Sequence, residues 1–172
     1  RKAEGADRAS AEGAAIARTH HPDIRFLIVG DEAAIGPLVR MRPALAAVAS
    51  VRHASGVITG DTKPSAALRG GRQSSMRLAI DAVASGDAQC VVSAGNTGAL
   101  MAMAKFVFKT LPGIDRPAIA SFLPTMRGET VMLDLGANIE CSAENLVQFA
   151  VMGAIFARAV LGLVEPRIGL LN

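Results

Sequence analysis

The period of the apolar positions changes from block to block along the chain, and each period predicts an element. Residues 10–20 are alanine-rich and favour helix. The apolar run 24–29 ends at Gly30-Asp31, which predicts a short strand, a turn and a helix N-cap. A helix over 31–40 stops near Pro43, and a strand follows over 48–53. Residues 56–72 read as a loop broken by Gly60-Asp61 and Pro64, with a short helix starting at Pro64. Ser74 or Ser75 caps a helix that runs to about residue 85 and ends at Gly86. A strand over 89–93, a helix over 96–110 and a Pro112-Gly113 loop within 111–117 come next. The runs 118–123 and 130–135 lie too close for a helical crossover, so they predict an antiparallel hairpin turning near residues 126–129. A helix over about 143–161 and a strand over 167–171 complete the pattern. Strands alternating with helices predict one α/β domain over 1–172, a three-layer α/β/α sandwich with a mainly parallel sheet covered on both faces.

The helix over 143–161 is apolar nearly all round. Leu146, Ala150, Gly153, Ala157 and Val160 make one face, and Val147, Val151, Ile155 and Phe156 cover much of the rest. A membrane span needs about 20 largely apolar residues. Residues 147–164 fall slightly short of that and carry Arg158. The expectation is a central helix buried on more than one side, against the sheet and a second subunit.

Composition narrows the function. With 172 residues, 51% of them hydrophobic, the chain can bury one real core. Six Phe and no Trp or Tyr supply few stacking platforms, which argues against a nucleic-acid partner. A net charge of +3 suits anionic substrates or an acidic partner protein. Cys90 and Cys141 fit no disulfide framework, and His20, His21 and His53 have no ligand spacing with them, so no metal site is expected. Reduced core or edge thiols and a cytoplasmic location follow.

Two motifs carry candidate chemistry. In Ser93-Ala94-Gly95-Asn96-Thr97-Gly98 an apolar run stops, small residues turn, and a helical pattern starts at Leu100 and continues through Met103, Ala104 and Val107. Unpaired amides and the macrodipole make a helix start attractive to phosphate. Gly95 and Gly98 allow close approach, and Ser93, Asn96 and Thr97 add side-chain donors. A capped turn with small residues for packing reads the same segment equally well. It matches neither the dinucleotide fingerprint nor a P-loop. In the second motif, V-M-L-D-L-G-A-N-I-E-C at 131–141, a strand ends in Asp134 and a turn holds Asn138. Asp134 either orients a donor at the ligand crevice or caps local amides. Asn138 either donates to a phosphate or oxyanion or fills a turn position.

Several runs occur together and in order: D-x-x-P-S-x-A-L-R…S-S-M from Asp61 to Met76, V-S-A-G-N-T-G-A-L-M at 92–101, G-I-D-R-P-A-I-A at 113–120, L-P-T at 123–125, L-D-L-G-A-N at 133–138, L-V-Q-F-A-V-M-G at 146–153 and P-R-I-G-L-L-N at 166–172. From residue 24 to 172 the chain resembles the phosphate acyltransferases of bacterial phospholipid synthesis, the PlsX family. The resemblance implies a fold like isocitrate and isopropylmalate dehydrogenases, a homodimer, and transfer of a fatty acyl group from acyl carrier protein to inorganic phosphate. It implies no cofactor, and peripheral membrane association of the whole protein is compatible with it. Candidate catalytic residues are Asn96, Asp134 and Asn138. Candidate substrate-binding residues are Ser93, Gly95, Thr97 and Gly98, with Ser74, Ser75 and Arg116 as further anion contacts. Arg72 is a weaker anion-steering candidate. The family's opening Met-Gly-Gly-Asp turn has no counterpart before Ser10, and its members continue past the last Leu-Leu-Asn. The expectation is therefore the amino-terminal portion of a larger enzyme, inactive alone. A nucleotide-binding dehydrogenase of related fold and a non-catalytic dimerising fragment stay open as alternatives.

Overall fold

The computed structural model describes residues 2–126, 128–138 and 140–171, with side chains from residue 8 onward. The chain divides into two compact units, Arg1–Phe108 and Lys109–Asn172. Its architecture is mixed α/β, with one small parallel and one small antiparallel sheet among the described residues.

The first unit opens with helix α1 (Lys2–His20), which begins earlier than the alanine-rich core of the segment predicts. Strand β1 (Phe26–Gly30) pairs in parallel with β2 (Ala49–His53), from Phe26 opposite Ala49 to Gly30 opposite His53. The crossover holds α2 (Glu32–Arg40) and the short α3 (Pro43–Ala46). Asp31 caps α2, its Oδ1 accepting from the Ala33 N–H at 3.0 Å. Ile28, Ile35, Val39 and Leu45 form the core between sheet and helices. Three further helices follow: α4 (Pro64–Gly70), α5 (Ser75–Ala84) and α6 (Thr97–Phe108). Ala67, Met76, Ile80, Ala99 and Met103 interlock as a second core among them. Gly71 sits where they crowd together. A Cβ there would lie 2.5 Å from the Ala67 carbonyl oxygen and 2.6 Å from Met103 Cε, so no larger residue fits unmoved. Gly86 follows α5 at a φ of +85°, the left-handed conformation expected of a helix-ending glycine.

The second unit is a hairpin and a long helix. Strands β3 (Ser121–Thr125) and β4 (Gly128–Met132) pair antiparallel, from Ser121 opposite Met132 to Thr125 opposite Gly128. The hairpin is the predicted one, but the paired segments lie closer to the turn than 118–123 and 130–135. Helix α7 (Ala143–Leu161) has the predicted bounds. Ser142 and Asn145 cap it reciprocally, and Gly162 closes it at a φ of +68°. Its Phe149 and Ala157 are buried, and its Phe156 ring lies 5.6 Å from that of Phe122. The opposite stripe stays exposed, with Val147 at 64%, Val151 at 50% and Ile155 at 58%. The helix is thus covered on one side within its unit, where burial on more than one side was expected. A two-stranded hairpin is too narrow to cover more.

Two predicted strands differ. Residues 89–93 run between α5 and α6, and residues 167–171 follow α7, and neither segment pairs in a ladder among the described residues. Val92 is 93% and Leu171 82% exposed. A strand is defined by its partner's hydrogen bonds, which an apolar run does not itself supply.

Candidate functional site

The start of α6 is built around Asn96. Its Oδ1 accepts from the Ala99 N–H at 2.9 Å, and its carbonyl accepts the first helical bond, from Leu100. Asn96 is therefore the N-cap and Ala99 the third helical residue. That geometry leaves the N–H groups of Thr97 and Gly98 with no acceptor inside the helix, at the positive end of its dipole. Both residues are exposed, as are Ser93 and Gly95. Ser93 folds its hydroxyl back onto the turn, where Oγ accepts from the Gly95 N–H at 3.1 Å. Gly95 has a packing reason as well, since a Cβ there would sit 3.1 Å from Met76 Cε.

The Asn96 amide nitrogen points into its own unit. It donates to the carbonyls of Thr59, Gly60 and Thr62 at 3.2, 3.1 and 2.9 Å. The segment it holds is internally bonded. The Thr62 N–H donates to the Thr59 carbonyl, and the two threonine hydroxyls meet at 2.7 Å. Hydrogen bonds from the Thr59 hydroxyl and from its own backbone hold the Asp61 carboxyl below the usual aspartate range. Pro64 then presses on α6, where a Cβ on Gly98 would lie 3.2 Å from its Cγ. The amide donors of Asn96 are thus engaged within the chain, and the N–H groups of Thr97 and Gly98 are among the donors left open at the turn.

Ser74 and Ser75 begin α5. Ser74 is 2% exposed, gives its one proton to the Gly71 carbonyl at 2.6 Å and caps the Arg77 N–H at 3.3 Å. The Ser75 N–H donates to the Gly56 carbonyl at 2.9 Å. Arg72 is exposed.

Asp134 and Asn138 lie in the second unit and do meet. One carboxylate oxygen accepts from the Ile119 N–H at 2.8 Å. The other accepts from the Asn138 N–H at 2.7 Å and its side-chain amide at 3.0 Å. Asn138 also donates to the Pro117 carbonyl at 3.0 Å. Partial burial raises the Asp134 pKa, but the donors of Ile119, Asn138 and Ala137 together outweigh it and leave the carboxyl below its ordinary value. This cluster ties segment 117–119 to the turn after β4. Asp134 thus accepts from local amides, as one of its two sequence readings has it.

Arg116 donates to the Glu140 carbonyl at 3.2 Å and lines a cleft of about 490 Å³ at the start of α7, with Asp115, Cys141, Ser142 and Asn145. Cys90 and Cys141 are both exposed free thiols, which leaves the edge alternative of the two expected and not the core one. A second recess, which no motif in the sequence marks, lies at the carboxyl ends of β1 and β2 and is lined by Asp31, Glu32, Ala33 and His53. His53 Nδ1 there accepts from the Glu32 N–H at 3.3 Å. Its signal was positional, since ligand crevices of open α/β sheets lie at strand carboxyl ends.

Comparison with known proteins adds a separate observation. The profile of a family described as "Fatty acid synthesis protein" matches residues 3–172. A phosphate acyltransferase of Rhodospirillum centenum is 72% identical over 160 residues, covering 93% of this chain and 45% of that protein. One from Rhodospirillum rubrum is 61% identical over 161 residues, 94% of this chain and 46% of that protein. One from Gluconobacter oxydans is 53% identical over 173 residues, 99% of this chain and 47% of that protein. The chain spans less than half the length of each of these relatives.

Proposed function

The chain belongs to this fatty acid synthesis protein family, and from that premise we propose that it is the amino-terminal part of a phosphate acyltransferase. The whole protein moves a fatty acyl group from acyl carrier protein to inorganic phosphate, and the acyl phosphate feeds phospholipid synthesis. The observation that carries the proposal is 72% identity to a phosphate acyltransferase over 93% of the chain.

In this reaction a phosphate oxygen attacks the thioester carbonyl carbon, and a C–O bond forms. The C–S bond breaks, and its electron pair leaves on the carrier's sulfur. A thiolate is a good leaving group, so the protein needs position and charge more than a strong acid. The N–H groups of Thr97 and Gly98 bind phosphate, in the turn shaped by Ser93 and Gly95. Their support is the cap geometry at Asn96, which leaves those two donors unused. Asn138 and Asp134 hold the second unit's turn in shape as positioning residues, and their mutual hydrogen bonds support that role.

The finer fold belongs to the same proposal. Residues 89–93 and 167–171 become strands of a mainly parallel sheet in the whole protein, in a sandwich like that of isocitrate and isopropylmalate dehydrogenases. The parallel pair β1–β2 with its helical crossover supports this reading. The exposed Val147, Val151 and Ile155 stripe supports burial of α7 in a homodimer. The functional test incubates the whole protein with acyl-(acyl carrier protein) and phosphate and traps product with hydroxylamine. Phosphate-dependent hydroxamate is expected. Thioester loss that ignores phosphate would overturn the assignment.

A further inference from the structure

We infer that Asn96 is a positioning residue, a latch that holds segment 59–62 across the start of α6 and so sets the wall of the phosphate site. The inference rests on the phosphate reading above for its consequence, but on geometry for the latch itself. One side chain does two jobs. Its oxygen caps α6 through the Ala99 N–H, and its nitrogen reaches the carbonyls of Thr59, Gly60 and Thr62. Those carbonyls come from residues 34 to 37 positions earlier in the chain. An amide nitrogen carries two hydrogens, so three carbonyls share them. A segment converging three carbonyls on one point needs a donor there, because the oxygens otherwise face each other.

The position of the segment matters for the two open amides. Pro64, two residues past it, already stands where a Cβ on Gly98 would come within 3.2 Å. The room beside Gly98 is thus bounded by Pro64, the first residue of α4, into which the segment held by Asn96 leads. A shift of that wall changes the space in which phosphate meets the N–H groups of Thr97 and Gly98. Asn96 achieves this with no donor of its own aimed at the ligand.

The two jobs can be separated. In Asn96→Asp an oxygen still caps Ala99, since Asp and Asn are equivalent N-caps. The nitrogen becomes a second oxygen facing three carbonyl oxygens, so the latch opens while α6 stays capped. Asn96→Ser also keeps a capping oxygen and lacks the reach, without adding charge. The experiment uses the whole protein and two readouts. Amide hydrogen exchange follows peptides covering residues 57–64 and 97–108. Steady-state kinetics gives KM for inorganic phosphate and for the acyl carrier thioester, together with kcat.

Both variants are expected to speed exchange in 57–64 about tenfold or more and to leave 97–108 within about twofold. Phosphate KM should rise about tenfold, with kcat and the thioester KM changing less than about threefold. A residue that merely stabilised the fold would loosen both peptides and would not single out phosphate. Unchanged exchange in 57–64 overturns the latch. Faster exchange with an unchanged phosphate KM overturns its role in positioning. If the wild-type protein forms no acyl phosphate, the reaction assigned above fails, and the exchange readout alone decides for or against the latch.

Discussion

Replacing Asp134 by Asn removes a charge from a cluster built to receive it. Two backbone N–H groups, of Ile119 and Asn138, and the Asn138 side chain converge on this carboxylate at 2.7 to 3.0 Å. Asn supplies one oxygen in place of two, and its NH2 must face a donor. A hydrogen bond to a charged group contributes about 1.5–3 kcal/mol, and solvent access to this half-buried site restores part of what is lost, so the expected cost is about 2 kcal/mol at pH 7. For a chain of this size that lowers Tm by about 4–8 °C. The pH dependence has a fixed sign. The folded carboxyl lies below its ordinary value of 3.8, so the folded state binds this proton more weakly than the unfolded chain does. Asp134's contribution is complete above that ordinary value and is lost as pH falls through the folded value. The gap between wild type and Asp134→Asn should therefore hold from pH 7 down to about 5 and narrow only as pH falls through and below the ordinary value. Thermal unfolding by circular dichroism across that range measures it. A gap below about 0.5 kcal/mol at pH 7, or one that stays constant into strong acid, would show that the Asp134 charge is not held by these donors.

Gly71→Ala should destabilise the first unit by about 1–3 kcal/mol or more, because the new methyl meets the Ala67 carbonyl oxygen at 2.5 Å; urea unfolding reads the loss directly. Gly98→Val should weaken phosphate use about tenfold or more, since a branched side chain beside Pro64 covers the open amides; phosphate saturation kinetics on the whole protein checks it, with a wild-type KM counting against the site. The 172-residue chain alone should form no acyl phosphate in the hydroxylamine assay, because an open α/β site needs loops from more of the sheet; turnover within about tenfold of the whole protein would show that this part carries all the chemistry.

Local chemistry was legible in the sequence and long-range pairing was not. Asp31, Ser74 and Ser142 cap helices because each is a short polar residue just ahead of an apolar helical period. The bounds of α7 follow from Ser142 at one end and Gly162 at the other. The hairpin was readable because its strands are neighbours in the chain, while its register, with Thr125 opposite Gly128, is not marked by the apolar pattern. Segments 89–93 and 167–171 have the apolar content of buried strands, but a strand's partner is a tertiary fact. Side-chain roles failed to be legible for the same reason. Spacing placed Asn96 at a helix start, yet nothing local indicates that its amide turns back to residues 59–62. Nor does spacing indicate that Asp134 accepts from the Ile119 N–H, 15 positions earlier in the chain.

The central claim is that phosphate binds at the start of α6. Its most direct measurement is a titration of the ¹⁵N-labelled whole protein with inorganic phosphate, following backbone amide shifts. Saturable shifts are expected, largest at the N–H groups of Thr97 and Gly98, with a midpoint matching the phosphate KM. Saturable shifts centred elsewhere, with Thr97 and Gly98 unmoved, would contradict it.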